Sequence, residues 1–378
     1  MVARILIRGN LNLSSDLRRI GFIKVIVFLT YPSTFTYTSQ LVNKYKMTVI
    51  AYRDKQGWNI NRESGKKMAG KGIGKENVPP NRDFIALNHV LLAQRLHFIR
   101  KDVNTWDTYG QILSSLYTSS NGRSLSLNPQ TREQLFKTKG LVASLTLGEK
   151  MIFCDALLYS DIDGTIPLLL CFNETTKSKS DLVNKYFGMV ASWYERKVGI
   201  EVISSLKRFY LMEKKRFEKK NLEGGSSMTH REMQVEPRLN FLTDLGLVNK
   251  ERAGYSLNAI GKQLRDIFLN SDNEDLRQLL DEKERRWTIL LSEMYSDDLS
   301  EISEEEFDEI FFRVMNFYKS IGLILIPYES VYLSTVALAL NASKRLSFNA
   351  YKTHLKRLAK SKGVRFSDTV PGRRYIHA

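Results

Sequence analysis

Two short segments of the sequence have residue types and spacing suited to phosphate chemistry. Asp-Ile-Asp-Gly-Thr (residues 161–165) places two carboxylates two residues apart, beside a glycine and a threonine. Gly65, Gly70 and Lys71 have the spacing of a phosphate-binding loop. The next residue is Gly72 instead of Ser or Thr, so the magnesium ligand is missing. We therefore interpret residues 64–80 as a flexible basic linker.

The paired aspartates resemble the first motif of haloacid-dehalogenase-like phosphatases, and the resemblance implies that Asp161 would be the nucleophile and Asp163 a general acid, with Mg²⁺ between them. That resemblance implies a buried strand ending at Asp161, inside a doubly wound sheet. Leu157-Leu158-Tyr159 precedes the motif, but no series of alternating strands and helices follows it. We expect a turn between two helices here, and a magnesium-dependent phosphatase is kept only as a distant alternative.

The histidines and cysteines do not form a metal-binding pattern. His89 and His97 are eight residues apart on an expected helix and have no third ligand nearby, and the remaining histidines are scattered. Cys154 and Cys171 are the only cysteines, which excludes a disulfide scaffold and indicates a reducing compartment. We predict no metal, no cofactor and no enzymatic activity.

Positive charge is concentrated at the two ends of the chain. The net charge is +16, with +12 in residues 1–100, −9 in residues 251–340 and +9 in residues 341–378. Basic segments of this kind favour polyanionic partners, above all nucleic acid. Glu301 to Glu309 is acidic and is expected to open an amphipathic helix containing Phe307, Ile310, Phe311 and Val314.

The pattern over residues 235–270 predicts a helix, a tight β-hairpin and a second helix. Pro237 is expected just inside a helix start, and Gly246 at the helix end. Strands over 247–249 and 255–257 flank a charged turn, and a helix follows. Residues 238–264 resemble the winged helix-turn-helix superfamily. A shorter echo near residues 140–150 suggests a first copy over 83–153.

The C-terminal segment, residues 329–378, resembles the same superfamily. Val331 to Leu340 forms an apolar helix, and Ser347 is expected to cap a second helix that runs to about Ser361. A hairpin over 364–376 follows. The second helix would enter the major groove, and the hairpin would contact the DNA backbone.

We predict that this segment binds duplex DNA. Arg357 or Thr353 would lie closest to base edges, and the other basic residues would contact phosphates. The predicted DNA-binding residues are Lys352, Thr353, Lys356, Arg357, Lys360, Arg365, Arg373 and Arg374. A secondary contact would involve Arg231, Arg238, Lys250 and Arg252.

Two further segments carry structural predictions. Gly21 to Thr30 is apolar and is expected to form a strand, although the chain could also begin at Met47. Trp193 to Lys220 is predicted to be one long helix. No apolar run reaches the length of a membrane span, so we predict no membrane association and a cytoplasmic or nucleoid-associated location.

Together these features predict an α+β, mainly α-helical protein with several winged helix-turn-helix modules. The expected segments are a basic N-terminal extension (1–82), a first module (83–153), a helical region ending in a module (154–271), an acidic connector (272–328) and the C-terminal basic module (329–378). The leading hypothesis is non-enzymatic binding of duplex DNA. The alternative is a subunit of a multi-protein complex that docks through its winged helices and the acidic region 272–309.

Overall fold

The structure, a computed structural model, describes residues 19–30, 37–56, 81–119, 129–137, 144–173, 175–222, 226–281, 286–370 and 373–377. This part of the chain is mainly helical, with fifteen helices and seven short strands, which confirms the predicted α+β, mainly α class. It forms two compact units. The central unit is Phe153–Tyr295, and the split unit combines Asp16–Ile152 with Ser296–Ala378. The predicted boundary after residue 153 lies one residue from the boundary between Ile152 and Phe153, and residues 83–152 and 329–378 both belong to the split unit.

The first half of the split unit is helical. Its helices are α1 (Phe22–Leu29), α2 (Thr38–Gln56), α3 (Asn81–Arg95), α4 (Thr108–Ser115), α5 (Pro129–Lys137) and the start of α6 (Leu147–Leu170).

Helix α1 corrects the predicted strand at residues 21–30. All eight of its residues are buried, Lys24 included. A short, fully buried apolar run has no polar face that would distinguish a strand from a helix, so the sequence periodicity could not decide between them. The Lys24 ammonium lies 3.1 Å from the buried Glu149 carboxylate, and Trp106 Nε1 donates a 2.7 Å hydrogen bond to the Val27 carbonyl. These contacts make α1 part of the core of the split unit.

The second half of the split unit contains a three-stranded sheet. Its elements are β3 (Ser300–Glu301), α13 (Glu304–Ser320), β4 (Leu325–Pro327), α14 (Tyr328–Asn341), β5 (Lys344–Arg345), α15 (Phe348–Lys362), β6 (Phe366–Val370) and β7 (Arg373–His377). The sheet order is β4-β7-β6, all antiparallel, with Ile326 opposite Ile376 and Phe366 opposite Ile376. The predicted helices and hairpin of this segment are present. Strand β4, which completes the sheet, was not predicted.

The central unit consists of helices and one hairpin. Its elements are the rest of α6, α7 (Lys179–Ile200), α8 (Ser204–Leu222), α9 (Ser226–Asp244), β1 (Val248–Lys250), β2 (Tyr255–Leu257), α10 (Ala259–Asn270), α11 (Asn273–Leu279) and α12 (Arg286–Tyr295). The predicted single helix from Trp193 to Lys220 is wrong, because α7 ends at Ile200. The buried Glu201 carboxylate accepts the backbone N–H groups of Val202 and Ile203, which stabilises the break.

The predicted helix, hairpin and helix of residues 235–270 are present as α9, β1–β2 and α10. Gly246 has a positive φ of 70° directly after α9, as its predicted role at the helix end requires. Pro237 lies inside α9 and not at its start, because the helix begins eleven residues earlier, at Ser226. Lys177 forms an antiparallel bridge to Tyr255. The segment that precedes α7 therefore pairs with the second hairpin strand, as β4 pairs with β7 in the split unit.

None of the helices over the described residues is both long enough and apolar enough to cross a membrane.

Candidate nucleic-acid interface

Helix α15 is fixed at its start by a cap and along one side by apolar packing. The Ser347 hydroxyl accepts the backbone N–H of Ala350 at 3.2 Å, as predicted for an N-cap. Tyr351, Leu355 and Leu358 recur at helical spacing and are buried. The residues between them must therefore point away from the core.

Three of those outward residues are lysines. Lys352, Lys356 and Lys360 are all exposed, and each is four residues from the next. At 1.5 Å per residue, successive lysines are separated by about 6 Å along the helix. The Lys352 ammonium also lies 4.6 Å from the centre of the Phe348 ring. The result is a row of ammonium groups along one side of α15, called the lysine row below.

Arg357 lies beside the lysine row but is already paired. Its guanidinium contacts the Asp308 carboxylate through both terminal nitrogens, and its Nε lies 3.4 Å from Glu304. Both acids belong to α13, and the Arg357 side chain is 29% exposed. Hydrogen bonding to Asp308 raises the pKa of Arg357, so its charge is permanent but locally neutralised. We did not predict that Asp308 and Glu304 would pair with Arg357. The opposite charges of the acidic segment 301–309 and the basic C-terminal segment indicated that such pairs could form.

A concave surface runs along this side of the helix. It has a volume of about 490 Å³ and is lined by Thr353, Lys356, Arg357, Lys360 and Ser361. The structure thus brings four of the predicted DNA-binding residues together at one place.

The hairpin contributes the remaining predicted residues. Arg365 is exposed directly before β6, and its carbonyl accepts the backbone N–H of His377 at 3.1 Å. The backbone of Arg373 and Arg374 begins β7, and their side chains lie outside the described part of the structure.

The predicted secondary contact needs correction at two of its four residues. Arg238 is 0% exposed and binds Asp161 through Nε and Nη2, both at 2.7 Å. Arg231 is 8% exposed and donates to the carbonyl groups of Lys220 and Asn221. Neither guanidinium can reach DNA from inside the central unit. Helix periodicity could not reveal this, because their partners are distant in the sequence.

Lys250 and Arg252 are exposed, as a role at the surface of the hairpin requires. Between them, Glu251 accepts hydrogen bonds from Ser256 and Thr176. Glu251 therefore offsets part of the positive charge that Lys250 and Arg252 give this hairpin.

Asp161 and Asp163 lie on helix α6, where the expected turn between two helices is present as a kink, and this helical setting counts against the phosphatase motif. The helix has a kink at Asp161 (φ −139°, ψ 30°) and no strand leads into it. Asp163 is buried, binds Lys197 at 2.9 and 3.0 Å, and accepts the Trp193 indole N–H at 2.7 Å. Because basic side chains neutralise both carboxylates away from water, neither is available as nucleophile or general acid.

Glycine is required at position 164 by the same buried cluster. A Cβ atom there would lie 2.4 Å from Nη2 of Arg238. The Asp-Ile-Asp-Gly-Thr sequence is therefore explained by the packing of two buried ion pairs.

The other chemical motifs carry no site in the described part of the chain. Gly65, Gly70 and Lys71 lie outside the described residues. His89 is buried, and burial lowers its pKa to about 4. Among the described residues, no group of histidine, cysteine or acidic side chains is arranged to hold a metal ion.

No protein-family model matches the chain, and comparison with curated proteins and with solved structures finds no match either.

Proposed function

We propose that this protein binds duplex DNA, without enzymatic activity, through α15 and the β6–β7 hairpin. The observation that carries the proposal is the lysine row, Lys352, Lys356 and Lys360, exposed on one side of a helix whose other side is buried. Ammonium groups at this spacing suit a run of phosphates, because each supplies a compact charge with three donors.

The order of elements supports the proposal. Apart from the two-residue strand β5, which pairs with β3, the order α13, β4, α14, α15, β6, β7 with a β4-β7-β6 sheet is the order expected of a winged helix-turn-helix module. In such modules the helix before the hairpin lies in the major groove, and the hairpin flanks the backbone. Helix α15 has 15 residues and is about 22 Å long, sufficient to lie along a groove.

The alternative, protein docking through the acidic region 272–309, has less support. Glu301 pairs with Arg345, Glu306 with Lys344, and Glu304 and Asp308 with Arg357. These acids are already paired with basic residues of their own unit. A partner would have to compete with those contacts, which makes the region a weaker candidate for a docking surface.

The test replaces the lysine row in the full-length chain. We expect the triple variant Lys352→Ala, Lys356→Ala, Lys360→Ala to bind a fluorescent duplex of mixed sequence much more weakly. The slope of log K against log salt should fall by about three, since each lost phosphate contact removes roughly 0.9. The control removes the same charge from exposed positions on α8, by Arg208→Ala, Lys215→Ala and Lys219→Ala.

The control separates a local contact from the effect of net charge. If both triple variants lose affinity and slope equally, only the overall charge matters and the proposed interface is wrong. If neither variant changes a measurable affinity, DNA is bound elsewhere. If the unchanged protein shows no salt-dependent binding to duplex DNA, the proposed function is wrong.

A further inference from the structure

The exposed side of α15 also carries residues that differ in how they contact a base. Asn349, Thr353, Lys356 and Lys360 follow one another at helical spacing and are all exposed. Lysine acts mainly as a point charge toward phosphate, whereas arginine and asparagine recognise a base edge with two hydrogen bonds. Arginine pairs in this way with guanine, and asparagine pairs with adenine. The helix contains one arginine, Arg357, and one asparagine, Asn349.

Arg357 is held away from bases by two acids. All three of its guanidinium nitrogens contact carboxylates, Nη1 and Nη2 facing Asp308 and Nε facing Glu304. To reach a guanine base, the Arg357 guanidinium would have to break these charge-assisted contacts. The carboxylates of Asp308 and Glu304 would then be left beside the DNA phosphates. The structure therefore disfavours a base-reading role for Arg357.

Thr353 directs its hydroxyl back into the helix. Its Oγ1 donates a 3.0 Å hydrogen bond to the Asn349 carbonyl, a common arrangement for threonine inside helices. With that donor in use, Thr353 offers a base only an acceptor and a methyl group.

Asn349 combines exposure with an unused amide. It is the second residue of α15, and its side chain makes no hydrogen bond to any residue that the structure describes. Residues near the start of a groove-reading helix are those that contact base edges. Its amide supplies one donor and one acceptor, which match the N7 acceptor and N6 donor of adenine.

We propose that Asn349 is the base-reading residue of α15, that it selects adenine in the major groove, and that Arg357 makes no base contact. This rests on the proposed DNA-binding function. The lysine row then supplies affinity through the phosphates, and Asn349 supplies preference for one base.

The experiment selects preferred sites from a randomised duplex library with the full-length protein and then measures affinity for the best site. We expect an adenine at one position, and a loss of roughly 5- to 100-fold in affinity when that base pair is replaced. Asn349→Ala should abolish this discrimination while leaving binding to the replaced site nearly unchanged. Arg357→Ala should retain the adenine preference.

A matched control uses Asn316→Ala, because Asn316 is exposed on α13 of the same unit. This variant should leave the preference intact. Thermal unfolding of all three variants confirms that each remains folded.

The outcomes distinguish this inference from the proposed function. An adenine preference that survives Asn349→Ala, or a guanine preference that requires Arg357, overturns the inference. Salt-dependent binding without any base preference also overturns it, yet leaves the proposed function standing. If the protein does not bind duplex DNA at all, both proposals are wrong.

Discussion

Asp161 and Arg238 form an ion pair from which water is excluded, since both side chains are 0% exposed. Gln234 supplies two further acceptors to the Arg238 guanidinium, its carbonyl at 2.7 Å and its side-chain oxygen at 3.0 Å. Burial, the largest single influence, lowers the pKa of Arg238, but the Asp161 carboxylate together with Tyr186 and Tyr194 outweighs it and the net shift is upward. The charge of Arg238 is therefore retained inside the central unit and depends on Asp161.

Removing Asp161 should consequently destabilise the protein strongly. We expect Asp161→Asn to lower the free energy of unfolding by about 3–5 kcal/mol, because an uncompensated cation remains buried. The double variant Asp161→Leu with Arg238→Met should recover most of that loss, since no charge is left in the core. Urea denaturation measures each value.

The control for this prediction is Asp266→Asn, which removes an acid that is 45% exposed and paired with Arg265 in the same unit. Its effect should stay within about 1 kcal/mol. An Asp161→Asn protein as stable as this control would show that Arg238 has another compensating partner.

His89 should make the stability of the split unit depend on pH. It is buried against Phe22 and Tyr45, and burial lowers its pKa to about 4. An unfolded chain binds the proton near pH 6.5, so stability falls as the pH drops from about 6.5 toward 4. The maximum loss is about 3 kcal/mol, and the contribution is fully present above pH 6.5.

We expect His89→Leu to reduce the slope of unfolding free energy against pH in that range. The exposed His377 serves as the control, and His377→Gln should leave the slope unchanged. Equal slopes in the His89→Leu and unchanged proteins would contradict the prediction, because they would show that His89 binds its proton as readily in the folded protein as in the unfolded chain.

At the scale of elements, helix α1 forms part of the buried core of the split unit. Its eight buried residues pack into the core, and Lys24 is an ion-pair partner of Glu149. Tyr117 and the Thr146 backbone N–H also contact that carboxylate, but neither carries a positive charge. A protein that begins at Met47 would leave Glu149 buried without its cation.

We therefore expect a chain that begins at Met47 to lose cooperative unfolding of the split unit. Thermal unfolding followed by near-ultraviolet circular dichroism measures this. Lys24→Ala should reproduce part of the loss in the full-length chain, by several kcal/mol, while Lys44→Ala, at an exposed position on α2, should have little effect. A Met47 chain with an unchanged transition would contradict the role given to α1.

At the scale of the whole molecule, the acidic and basic segments of the chain are not independent. The acidic start of α13 pairs with Arg357 of α15, and Lys344 and Arg345 of β5 pair with Glu306 and Glu301. Exposed pairs of this kind contribute little stability, but they reduce the positive field where they lie. Among the described residues, no acid is paired with the lysine row, so its positive charge remains available to a polyanion.

The same interdependence affects how the DNA-binding proposal should be tested. Deleting residues 344–378 would remove β7 from the centre of the β4-β7-β6 sheet and expose Ile326 and the buried side of α14. Lost binding in such a truncation would be ambiguous, because the split unit would be disrupted as well. Substitutions on the exposed side of α15 avoid this problem.

Elements with local signals could be predicted from the amino-acid sequence. Ser347 capped a helix, Tyr351, Leu355 and Leu358 marked its buried side, and Gly246 marked a helix end, because caps and periodicity depend on residues within a turn or two. The mainly helical class followed from the same signals. The exposed position of the lysine row could be predicted as well, because residues on the side of a helix opposite its buried side face solvent.

Which charged side chains are available to a partner depends on the tertiary fold. Lys356 and Arg357 are adjacent in the sequence, yet Arg357 meets Asp308 from 49 residues away and Arg238 meets Asp161 from 77 residues away. The helical character of α1 was decided in the same way, by its burial among distant elements. Ion pairing and burial depend on which elements pack together, and local sequence patterns carry no record of that packing.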